Sequence, residues 1–143
     1  MSEVTILGGL LGGVVATILM TALMMGLGDD SPPPTAMFWS TYVGDGRPGA
    51  YMMQGMVLHF LYGTGAAVVL AGALPELGFE TVELLEALGL GLGYGFVLFV
   101  GAAVFWMNIV LDMDAEPRDI GLFLLFHLVY GGALGAVVGA GLV

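Results

Sequence analysis

The chain has no cysteine and no lysine, and it has only three serines, Ser2, Ser31 and Ser40. Without cysteine there are neither disulfides nor thiolate metal sites. None of the serines has a plausible histidine–acid partner, so a serine hydrolase is excluded. The only bases are Arg47 and Arg118. With no basic stripe or tail, nucleic acid and acidic membrane patches are excluded as partners. Charge of either sign is scarce: charged residues are 10% of the 143, against 59% hydrophobic. A soluble domain of this length needs about a quarter or more of its residues charged.

What is present is apolar length. Val4–Gly28, Ala50–Leu74, Ala87–Leu111 and Ile120–Val143 contain no Asp, Glu, Lys or Arg, and each is about 24 residues long. About 20 helical residues cross a hydrocarbon core. The expected fold is therefore all-α and integral to the membrane. It is a single domain over residues 1–143, a four-helix bundle with spans at about 4–28, 50–74, 87–111 and 120–143. The twelve acids fall in the connections and give a formal charge of −10. Acidic, lysine-free loops read as adaptation to very high salt, where screening is nearly complete, so a halophilic microbe is the expected source. The start, Met1-Ser2-Glu3, is acidic where a signal peptide wants a basic beginning, so the first span is expected to be retained.

The first span carries Gly8, Gly9, Gly12 and Gly13. Its loop holds Pro32-Pro33-Pro34 and an aromatic cluster, Phe38, Trp39 and Tyr42, suited to headgroup depth. After the second span, Pro75 opens a segment in which Glu76, Glu80, Glu83 and Glu86 recur at helical spacing. That spacing predicts a short interfacial helix between the second and third spans. Most of the 25 glycines lie within the spans, where small residues allow close helix packing. Their number exceeds what four helices need for their own contacts. Other copies of the chain, or a larger membrane complex, are therefore the expected partners beside membrane lipid. Arg47 and Arg118 lie in loops 1 and 3, so the expected orientation has those loops in the cytoplasm and both termini outside the cell membrane, with the opposite orientation as the alternative.

The only two histidines sit in matched settings, His59-Phe-Leu-Tyr62-Gly63 and His127-Leu-Val-Tyr130-Gly131. Together with a looser parallel between Met20-Thr21 and Met107-Asn108, they give the chain the look of a doubled hairpin. Tandem hairpins share orientation, so a pseudo-twofold axis along the membrane normal brings both histidines to one depth. An ionisable ring near the bilayer middle raises a functional question. One reading is structural: each imidazole is neutral and bonded, to Tyr62 or Tyr130 one turn away or to a carbonyl, and clamps helices together. The other is a b-type haem or metal held by His59 and His127, with Tyr62, Tyr130, Gly55, Gly63 and Gly131 around it. For the haem reading, the only bases for propionates are Arg47 and Arg118, and Phe123 stands where the first repeat has Gly55. A metal alone lacks the usual third and fourth ligands.

A transporter or channel has only Thr17, Thr21, Gln54, Thr64 and Asn108 to line a polar path. The methionines Met20, Met24, Met25, Met52, Met53 and Met56 read as apolar filler. The paired His-x2-Tyr-Gly segments, glycine-rich spans and acidic lysine-free loops resemble small multi-pass membrane proteins of haloarchaea with no assigned function. The resemblance implies no catalytic residue. The expectation is a non-catalytic membrane protein, a homo-oligomer or small subunit, with a bis-histidine cytochrome and then a transporter or channel as alternatives.

Overall fold

Four helices are long and apolar enough to cross a bilayer: Ile6–Leu27, Pro48–Glu76, Leu84–Val110 and Pro117–Ala140. The computed structural model describes all 143 residues. In chain order, α1 is Ile6–Leu27 and α2 is Pro34–Tyr42. A 3-10 turn, Pro48–Tyr51, leads into α3, Met52–Glu76. Next, α4 (Leu84–Gly101) runs on as a π-helical segment, Ala102–Val110, and α5 is Pro117–Ala140. The chain is a membrane-type helix bundle.

Loop chemistry sets these boundaries. Thr5 caps α1 by accepting from the Gly8 N–H at 2.8 Å. Both α4 and α5 begin with acidic capping boxes, Glu83 with Glu86 and Glu116 with Asp119. Each box satisfies amide groups that the first helical turn leaves free, with negative charge at the positive end of the helix dipole. Several of the acids are thus employed as helix starts.

The segment after Pro75 departs from expectation, because no helix forms between α3 and α4. Pro75 is absorbed into the last turn of α3. Gly78 then takes φ +93, and Phe79 N–H bonds Leu74 O while Gly78 N–H bonds Pro75 O. That pair of bonds is a Schellman stop, which needs a left-handed residue that glycine supplies without strain. The glutamates therefore end one helix and begin the next. Beyond the turn, Thr81–Val82 pairs antiparallel with Ser2–Glu3. Ser2 Oγ also donates to Gly139 O at 2.9 Å. The start of the chain, the α3–α4 turn and the end of α5 are latched together at one end of the bundle.

Two seams of small residues hold the spans. In the first, α1 lies on α3, with Gly9 and Gly13 against Ala67 and Ala71, and Thr17 against Gly63. In the second, α4 lies on α5, with Ala87, Gly91 and Gly95 against Gly131, Gly135 and Gly139. A Cβ on Gly91 or Gly131 would stand 2.2 or 2.1 Å from a facing carbonyl oxygen, so backbone meets backbone there. In lipid, where apolar burial gives little drive, such close approach is the main source of helix association. The two pairs join through α1 and α5, where Gly12 receives Leu134. By contrast, α3 and α4 form no close backbone seam and meet through side chains such as Leu70, Leu74 and Leu90. Opposed residues in the seams match Thr17 with Gly95, so Met20 corresponds to Leu98 and the looser parallel with Met107 is replaced.

Candidate functional site

A cavity of about 190 Å3 lies where α3 and α4 stand apart, and both His59 and His127 line it. From α1 come Met20 and Met24, with Leu98 of α4 and Ala102 of the π-helical segment that continues it. From α3 and α5 come Tyr62, Gly63, Phe123 and Tyr130. The remaining wall is α2 and its approach, Pro33, Pro34, Thr35 and Phe38, with Trp106 of the π-helical segment. The walls are mostly hydrocarbon, aromatic ring and thioether.

The two imidazoles meet different surroundings. His127 is 5% exposed, and its Nδ1 lies 2.8 Å from the Phe123 carbonyl of its own helix. A carbonyl only accepts, so Nδ1 carries the proton and Nε2 of the neutral ring keeps a lone pair. The Phe123 ring lies edge-on to His127 at 4.5 Å. His59 has only the Phe60 ring edge-on at 6.1 Å and no carbonyl partner, and its Nε2 is buried without any hydrogen bond. Thr35 Oγ1, in the same cavity, is likewise buried and unpartnered. Buried polar atoms are nearly always satisfied, so two orphans in one pocket mark it as unusual.

Neither histidine clamps two helices or bonds a tyrosine. The interhelical bonds belong to tyrosines instead. Tyr130, 2% exposed, donates from α5 to Gly63 O on α3. Tyr94 donates from α4 to Ala66 O on α3 at 2.7 Å. These two phenols span the gap beside the cavity. Tyr62, the sequence partner of Tyr130, is 43% exposed and makes no such bond. Sequence reasoning missed Tyr94, although a hydroxyl deep in an uncharged span was the available signal. It also missed Thr35, Phe38 and Trp106, whose arrival depends on how loop 1 folds back.

The glycines offered for a ring edge divide. Gly63 lines the cavity. Gly55 is taken up by α2, with Ala36 about where its Cβ would be (2.7 Å), and Gly131 is locked against Gly91 and Gly95. The residues present do not fit a haem. An apolar cavity of about 150 Å3 holds one benzene, and this one is little larger, whereas a porphyrin joins four rings. Of the bases, Arg118 reaches only Leu27 O, at 3.5 Å. No group of three or more His, Cys, Asp or Glu side chains is placed to hold a metal ion. The polar-path candidates fare no better. Thr17 donates to Gly13 O and Thr21 to Thr17 O of their own helix, both at 2.7 Å, and Asn108 is exposed. None of Thr17, Thr21, Gln54, Thr64 and Asn108 lines the cavity. Comparison with family models, with characterised proteins and with solved structures finds no match for this chain.

Proposed function

We propose that this protein is a non-catalytic membrane bundle whose working part is the cavity between α3 and α4, a binding site for a small ring-bearing molecule drawn from the bilayer. The observation that carries this reading is one apolar cavity lined by both histidines, with His59 Nε2 and Thr35 Oγ1 lacking partners. The matched His-x2-Tyr-Gly segments, with both histidines, Met20 and Leu98 lining one cavity, support a duplicated design. Pockets between bundle helices are common ligand sites. The test is binding of toluene to the protein in lipid nanodiscs, read against empty discs. Saturable binding that Ala66→Phe abolishes without loss of thermal stability is expected; uptake equal to empty discs would overturn the reading. A haem Soret band in the purified protein, lost in both His59→Ala and His127→Ala, would overturn it as well.

A second reading concerns assembly. Gly89 and Gly93 on α4 have nothing within 4 Å, and Leu85, Phe96 and Val97 beside them are exposed. A Gly-x3-Gly face directed at lipid supports pairing with another copy or with a larger complex. In mild detergent the protein is expected to run as an oligomer that Gly93→Leu dissociates; a monomer that crosslinks to nothing in native membranes would end this reading. The orientation that follows from Arg47 and Arg118 puts loops 1 and 3 in the cytoplasm and the latched end outside. A halophilic source accords with the acidic loops.

A further inference from the structure

Resting on the binding reading above, we propose that the cavity recognises a dihydroxylated single ring, the head group of a quinol. The His127 bond to Phe123 O fixes the polarity of the site. With its proton on Nδ1, the neutral ring offers Nε2 only as an acceptor, so a ligand that satisfies it must bring an O–H or N–H. His59 and Thr35 line the same cavity, each with a buried polar atom, Nε2 and Oγ1, that has no partner of its own. A ligand therefore needs one donating group and a second polar group, joined by a body that suits apolar walls. A benzene-sized body fits the volume of about 190 Å3. Flat rings also suit the aromatic edges of Phe38, Trp106 and Phe123 and the thioethers of Met20 and Met24.

A quinol meets these terms and its oxidised partner does not, because a quinone has no hydroxyl to give His127. The same head group could come from a free hydroquinone or from a tailed membrane quinol. The experiment titrates the protein in nanodiscs, against empty discs, with hydroquinone, its dimethyl ether, benzoquinone and toluene, and then competes hydroquinone with a prenyl-tailed quinol. Hydroquinone is expected to bind about tenfold or more tightly than either the ether or benzoquinone, the factor that one unmet buried hydrogen bond gives. His127→Leu should shrink that ratio towards one. Should this variant fail to fold, the ligand comparison on the unaltered protein decides alone. Displacement by the tailed quinol assigns a membrane source; its failure assigns a soluble one. Ether and hydroquinone binding alike would overturn hydroxyl recognition while leaving the cavity reading intact. If toluene also fails to bind, both fall together.

Discussion

His59 and His127 occupy matched sequence positions, yet the protein surrounds them differently. Around His127 the site is closed: Phe123 packs against the ring, a carbonyl holds Nδ1, and Tyr130 is buried one turn on. Around His59 the equivalent of Phe123 is Gly55, and α2 fills that room with Ala36. Tyr62 lines the cavity but stays 43% exposed, without the interhelical bond of Tyr130. One half thus presents a positioned acceptor, and the other presents an unsatisfied ring beside an inserted loop helix. The difference teaches that a repeated motif can keep two side chains at one cavity while giving them unlike partners.

The comparison can be broken most severely at the seams. Gly131→Leu drives a side chain into the Gly91 carbonyl and should cost about 3 kcal/mol or more, preventing recovery of folded protein. Gly93→Leu, on the outward face of the same span pair, should change monomer stability by less than about 0.5 kcal/mol. Thermal unfolding in detergent compares them. Gly55→Phe makes the first half resemble the second. Its ring cannot share space with Ala36, so α2 should detach and loop 1 should become the first site of limited proteolysis. Tyr130→Phe removes one buried interhelical bond and should cost about 1 kcal/mol, while Tyr62→Phe should be silent. Smallest is the histidine pair itself. His59→Leu removes an unsatisfied nitrogen and should be neutral or slightly stabilising, whereas His127→Leu should lose about 0.5–1 kcal/mol with its bond to Phe123.

Much of the bundle was legible because an uncharged run of span length has few other fates. The four expected spans fall within about three residues of the observed helices at most ends. The matched segments drew attention to the two imidazoles, and both line one cavity. The segment 76–86 misled because acids at helical spacing also serve as caps, and Gly78, which decides the stop, carries no periodic signal. Loop 1 reads as an interfacial aromatic cluster, and nothing in that pattern shows that α2 packs on α3. That packing depends on Gly55, a residue whose meaning appears only once its neighbour is known. The tyrosine bridges were hidden for a related reason: a phenol in a span declares a need for an acceptor, not which helix supplies it.

Where α1 meets α3 and α4 meets α5, backbone rests on backbone and leaves little freedom. Between α3 and the α4–α5 pair the spacing is set by two hydroxyls, Tyr94 of α4 and Tyr130 of α5, reaching to the carbonyls of Ala66 and Gly63. The width of that slot is therefore written in side chains. Exchanging a few of them could fit it to differently sized guests while the glycine framework stays as it is.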